Sequence, residues 1–138
     1  MRRVQDWRAQ THKWWSEYRS SFGVVTSDLV RAEFDLAPPD KARHGATFFS
    51  DVVVLEEPPG LEELIRHYIR QKVMPDDALG DAAHLAVASL HGVDFILSWN
   101  CRHLANVNKR RHIEVVNKRL GLPVPMIATP FELLPGEP

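Results

Sequence analysis

Residues 80–99 read GDAAHLAVASLHGVDFILSW, and this stretch constrains the fold more than any other. From Gly80 to Leu90 the pattern is helical and rich in small residues, so its alanines permit close packing against a sheet. Gly92 fits the stop of that helix. FILSW, 95–99, then follows as a strand that is apolar but for Ser98, as expected where helices cover both faces of a sheet. A helix feeding such a strand belongs in a layered α/β domain.

The rest of the chain repeats that alternation. Trp7, Thr11, Trp14, Trp15 and Tyr18 recur at helical spacing, which predicts a helix over 5–20. Its tryptophan stripe fits core or a partner surface. FGVVTS reads as a strand, and Ser27 fits the cap of the helix DLVRAEF. TFFSDVVVLE, 47–56, reads as a second strand, regular over 51–55. After Pro58-Pro59-Gly60, LEELIRHYIRQK turns Leu61, Leu64, Ile65, Tyr68 and Ile69 inward. Pro75 forbids a straight helix through Met74–Asp76. Downstream of FILSW a helix aligns Ile113, Val116 and Leu120, and VPMIAT is a last strand. Thr129-Pro130-Phe131-Glu132 fits the cap, first-turn proline and N3 glutamate of a terminal helix. The expectation is one three-layer α/β/α domain over 1–138 with a mostly parallel sheet.

The chain has 138 residues, 44% of them hydrophobic and 25% charged, enough for one globular core. A net charge of -1 provides no global basic field, so any nucleic-acid contact must come from a local patch. The lone Cys101 excludes an intrachain disulfide and suits a reducing compartment. No run reaches the roughly 18–20 apolar residues of a membrane span, and MRRVQDWRAQ has no apolar stretch behind its basic residues. A soluble cytoplasmic protein is expected.

Three polar positions stand out by context. Glu33 sits in the helix launched from the VVTS strand, Asp81 begins the alanine-rich helix, and Asn100 follows FILSW. In a parallel sheet these positions fall near one edge. Oxygen donors gathered there suit Mg²⁺ or Mn²⁺, which can orient a water and offset charge on a phosphodiester. Blander roles fit the same residues: Glu33 as surface, Asp81 as a favourable charge at a helix start, Asn100 as a turn former. Asp77 is a reserve carboxylate, whereas Asp94 lies at the far end of FILSW. His84, at i+3 from Asp81, shares its helix face. Cys101 has no evident activating partner, and no glycine-rich phosphate loop is present. Arg102, Lys109, Arg110 and Arg111 concentrate positive charge downstream of Asn100, as either an RNA-backbone patch or a solvated helix face.

GDAAHLAVASLHGVDFILSWNCRHLAN resembles the C-terminal half of a PIN domain, in particular the VapC-like group of bacterial toxin–antitoxin modules. The family's D-A-x-H-x-A helix start falls on Asp81, and its W-N step on Trp99-Asn100. The pattern S-x-L-V-x-x-E runs from Ser27 to Glu33, and T-P-x-E-L from Thr129 to Leu133. The resemblance implies a Mg²⁺-dependent (or Mn²⁺-dependent) endoribonuclease, the toxin of a pair. Glu33, Asp81 and Asn100 would be its ligands, RNA its substrate, and an antitoxin protein and a second copy its partners. The family also opens on a hydrophobic strand ending in an acid, at the centre of the sheet. No segment of that form precedes Trp7, so the domain is expected to be N-terminally incomplete, its central strand lacking and its activity impaired. Asn100 stands where aspartate is commoner, giving an oxygen but no charge. The alternative expectation is a catalytically inactive PIN-like interaction domain. Carboxylates of Glu33 and Asp81 within about 8 Å are expected for a shared cation, directly or through water.

Overall fold

The computed structural model describes residues 9–36, 38–40, 43, 50–74, 79–98 and 107–133. The chain enters through a helical segment, α1, over 9–21. It is regular at 9–13, widens into a π turn at Trp14–Tyr18 and tightens into a 3₁₀ turn at Arg19–Ser21. Such mid-helix departures have local causes. Here Trp14 is pinned on two sides. Its indole Nε1 donates to the carbonyl of Leu133 at 2.6 Å, and its ring stacks on Phe22 with centroids 5.6 Å apart.

Strand β1, Val25–Ser27, runs directly into α2, Asp28–Asp35. Ser27 is the buried residue at that junction, and its hydroxyl accepts the Val30 N–H at 3.4 Å, a long version of an N-cap bond. Strand β2, Val53–Leu55, leads through Gly60 into α3, Leu61–Arg70. Gly60 turns the chain at φ +84°, a conformation that favours glycine. Helix α3 buries Leu61, Leu64 and Tyr68, which its 3.6-residue period places on one stripe.

Helix α4, Leu79–His91, packs its small residues Ala82, Ala86, Ala88 and Ser89 into the interior. It ends on the expected glycine. The Gly92 N–H donates to Ser89 O at 3.3 Å, and the Val93 N–H donates to Ala88 O at 2.9 Å. With Gly92 at φ +70°, these bonds satisfy the terminal carbonyls in a Schellman arrangement. Strand β3, Phe95–Leu97, follows, then α5, Val107–Arg119, and β4, Met126–Ala128.

The strands correct the expected sheet. β1 pairs parallel with β2, Val25 opposite Val53, and β3 pairs parallel with β4, Phe95 opposite Met126. Among the described residues these are two separate two-stranded sheets, and no described strand joins them. The single, mostly parallel sheet of a three-layer PIN-like fold is therefore not what the described residues form. The physical reason is pairing: among the described residues β1 and β3 each have a ladder partner on one edge only. Each regular ladder here spans three residues.

Helices cover both faces of the β3–β4 pair. Ile127 packs into the large core with Tyr68, Leu85, Ile113 and Val116, whereas Ala128 joins Trp14 and Leu133 in a smaller cluster. Successive strand residues point to opposite faces. The α3–α4–α5 core and the α1 cluster are thus on opposite sides of this sheet.

The large core closes around a polar ring. The Tyr68 hydroxyl donates to Asn117 Oδ1 at 2.6 Å, and Asn117 Nδ2 donates to Ser89 Oγ at 2.9 Å and to Pro123 O at 2.8 Å. The Ser89 hydroxyl, 3.0 Å from the Tyr68 oxygen, then completes the circuit. All three side chains are buried and satisfied, so their desolvation is offset. Burial pushes the Tyr68 phenol above its ordinary value, with the bonds to Ser89 and Asn117 pulling the other way.

At the C-terminal end the Glu132 carboxylate accepts the Thr129 N–H at 3.0 Å, the reaching-back half of the anticipated capping box. Residues 130–132 form a turn; the expected terminal helix would continue into 134–138, which lie outside the described residues.

Candidate functional site

The two sheets are separated by a cleft of about 740 Å³, far above the water-sized voids of a packed interior. Its side walls are strands. Residues 24–27 at β1 and 93–98 at β3 line it continuously, β2 contributes Leu55 alone, and no residue of β4 reaches it. Each inner strand therefore turns toward the same space the edge that no described strand pairs. The other two walls are helical: Thr11, Trp14 and Trp15 from α1, and Asp81, His84, Val87 and Ala88 from α4. The spacing of the α4 residues, three and four apart, puts them on one helix face.

The ends of the cleft can be told apart. Phe22, just ahead of β1, meets Phe95, the first residue of β3, edge to face at 6.3 Å between centroids. The amino ends of β1 and β3 thus lie side by side. Asp81 belongs to the first turn of α4, and α4 reaches β3 through the short connection at Gly92–Asp94, running back against it. That places Asp81 toward the carboxyl ends of the strands, where Ser27 and Ser98 also line the cleft. Ligands of α/β proteins collect at such strand ends. Asp81 and His84 are half-buried there, and the first helical turn favours a negative side chain at Asp81.

The nominated ligands fare unevenly. Asp81 lies in the cleft. Glu33 lies in α2, where its backbone alone is described. Asn100 and the reserve Asp77 lie outside the described residues. Among the described residues no three His, Cys, Asp or Glu side chains gather closely enough to hold a metal ion. One described carboxylate does not make a Mg²⁺ site, which draws on several oxygens in near-octahedral array.

The nominated basic residues sit elsewhere. Lys109, Arg110 and Arg111 are on α5, and none of them lines the cleft. Arg110 grips Glu132 through two bonds, at 3.0 and 2.9 Å, which with the Thr129 N–H holds the Glu132 carboxyl below its usual range. Lys109 Nζ donates to Lys72 O at 3.4 Å, while Arg111 is exposed. Arg102 lies outside the described residues. Along the described lining the charged or titratable side chains are Asp81, His84 and Asp94, with no lysine or arginine.

Two features escaped sequence reasoning. The polar ring of Tyr68, Ser89 and Asn117 was hidden because each member sits on an apolar stripe; Asn117 four residues after Ile113 was the available signal. The cleft itself left its trace in β1 and β3, whose apolar residues remain part-exposed: Val25 by 37%, Phe95 by 41% and Leu97 by 36%. Among the described residues no helix is long and apolar enough to cross a membrane. No known protein family, curated protein or solved structure matches this chain.

Proposed function

We propose that this chain is a PIN-type, Mg²⁺- or Mn²⁺-dependent endoribonuclease with impaired activity, the toxin of a cytoplasmic toxin–antitoxin pair. Its substrate is RNA, and its partners are an antitoxin protein and a second copy of itself. The observation that carries the reading is Asp81, a half-buried carboxylate beside His84 in a large cleft at the carboxyl ends of two parallel strands. Glu33 and Asn100 are proposed as its fellow oxygen donors. A bound divalent cation would supply a polarised water and charge neutralisation at the phosphodiester. Arg102, Lys109, Arg110 and Arg111 are proposed to hold the RNA backbone; for Arg110 this requires exchanging Glu132 for phosphate.

Two carboxylates and a neutral amide hold Mg²⁺ weakly, because this ion gives up its waters reluctantly. Labelled single-stranded RNA should therefore be cut slowly in millimolar Mn²⁺. Cutting should cease in EDTA and in Asp81→Asn, with the variant's circular dichroism unchanged. Cutting that survives either treatment would refute the assignment.

A second reading, a catalytically inactive PIN-like interaction domain, is favoured by the apolar walls of the cleft and by two strand edges that no described strand pairs. Total absence of metal-dependent cutting, with a folded chain, would select it.

A further inference from the structure

We propose that the exposed side chains of Lys72 and Arg70, at the end of α3, form with the start of α5 a track for the phosphate backbone of single-stranded RNA. This rests on the reading of RNA as substrate and is independent of the cleavage chemistry.

The backbone singles out Lys72. Helices α3, α4 and α5 end on one motif. The Val73 N–H donates to Tyr68 O at 2.9 Å and the Lys72 N–H to Ile69 O at 3.0 Å, closing α3. The amides of Val93 and Gly92 close α4 in the same way, and those of Leu122 and Gly121 close α5. The residue at the turning point of this motif enters the left-handed region, where a side chain crowds its own carbonyl. Two of the three ends place glycine there, Gly92 at φ +70° and Gly121 at φ +69°. At α3 the position holds Lys72, at φ +58°, and no other non-glycine residue among those described has a positive φ. The negative end of the helix dipole does not demand a lysine at that point, because Arg70 already supplies a cation in the last turn. A backbone cost carried at one end of three implies a use for the side chain.

The neighbours indicate the use. Tyr68 bonds Asn117 at 2.6 Å, and Lys72 O accepts a bond from Lys109 Nζ at 3.4 Å. Helices α3 and α5 are therefore antiparallel, the end of one beside the start of the other. The stretches 64–74 and 107–113 contain Arg66, Arg70, Lys72, Lys109, Arg110 and Arg111, and no acid. Glu62 and Glu63 of α3 lie in its first turn, at the far end, and the one acid of α5, Glu114, is bonded to Lys118 at 2.7 Å. Arg70, Lys72 and Arg111 are exposed. In a chain of net charge -1 this is a local cationic surface, and ammonium and guanidinium groups in a row complement a chain of phosphates. The link from Met74 to Leu79 can extend no more than about 18 Å. That keeps the end of α3 near the start of α4, where Asp81 lies.

The probe is a labelled single-stranded oligouridine of about 12 nucleotides. Binding is read by fluorescence anisotropy in EDTA, so that it is scored without cutting. Lys72→Gly removes the cation and relieves the backbone. Its affinity should fall about five-fold at about 0.1 M salt, the counterion-release gain of one phosphate contact, and its slope of log affinity against log salt should shrink by about 0.7. Its denaturation midpoint should be unchanged or raised. Lys72→Arg should bind as the wild type does, and Arg70→Gln should weaken binding by a factor similar to that of Lys72→Gly. Lys118→Gln, which removes a cation already bonded to Glu114, should change the affinity little. Wild-type affinity in Lys72→Gly would overturn the track and leave RNA standing as the substrate, whereas failure of the wild type to bind RNA would overturn both. A lowered midpoint in Lys72→Gly would make Lys72 a structural cap, and would also overturn the proposal.

Discussion

The core beneath α3, α4 and α5 and the cleft between β1 and β3 are built from similar residues, yet they end in opposite conditions. In the core every large side chain finds apolar partners, and its three polar members complete one another's hydrogen bonds. In the cleft valines, phenylalanines and tryptophans surround open space, and two strands present backbone edges to it. Helix α4 belongs to both. Its Ala82, Leu85 and Ala86 are fully buried, while Asp81 and His84, on another face of the same helix, are half-exposed in the cleft. Core packing and the polar lining of the cleft thus fall on different faces of one element, with Val87 shared between them, and substitutions should separate the two.

The largest effect is expected at Leu85. It is fully buried, and Leu85→Ala should cost about 2–5 kcal/mol, the transfer term plus a cavity term. The denaturation midpoint should fall with the slope unchanged. A cost below about 1 kcal/mol would mean that the core collapses around the lost volume and is not the rigid partner in the comparison.

Next comes the polar ring. Asn117→Ala leaves the Tyr68 and Ser89 hydroxyls and the Pro123 carbonyl short of a partner, and should cost about 1–3 kcal/mol. Tyr68 adds a pH dependence at the alkaline end. Its raised folded value means that its contribution is complete below about pH 10 and is lost as pH climbs above the unfolded phenol's value. Wild type should therefore lose stability there more steeply than Tyr68→Phe.

A smaller effect attends the Arg110–Glu132 pair, which is partly exposed at 27% and 45% and therefore screened by solvent. Glu132→Gln should cost about 1 kcal/mol or less at neutral pH. The folded carboxyl is held down by Arg110 first and by the Thr129 N–H second. Its contribution is complete above the unfolded value of about 4.3 and disappears as pH falls through the lower folded value. Stabilities of wild type and Glu132→Gln should draw together as pH falls from about 4.3 through that lower folded value. A gap that persists in acid would show that the pair is structural rather than ionic.

The smallest effect belongs to the cleft. Val25 is 37% exposed on its wall, and Val25→Thr should change stability by no more than about 0.5 kcal/mol. A loss comparable to that at Leu85 would show the cleft walls to be part of the core, and would break the comparison.

The sequence made parts of this contrast visible. The stripe of Leu61, Leu64 and Tyr68 announced α3, the alanine run announced α4, and Gly92 announced its end, because these signals are local and periodic. Thr129 and Glu132 marked a cap for the same reason. The division into two sheets was not legible. Strand pairing depends on what lies beside a strand in space, and VVTS and FILSW read alike whether they adjoin a strand or a cleft. Asp81 was legible as a polar residue at the head of an apolar helix, and the structure sets it in the cleft. The partnership of Arg110 with Glu132 was not, since residues distant in sequence meet only through the turn that follows β4.

Amide hydrogen exchange on the free chain tests the central claim most directly. Two strand edges that no described strand pairs, beside a closed core, predict that the amides of Val25–Ser27 and Phe95–Leu97 exchange through local opening, orders of magnitude faster than those of Leu85–Ser89, which should wait for global unfolding. Uniform slow exchange across β1, β3 and α4 would contradict the account, because it would mean that the inner strand edges are already satisfied.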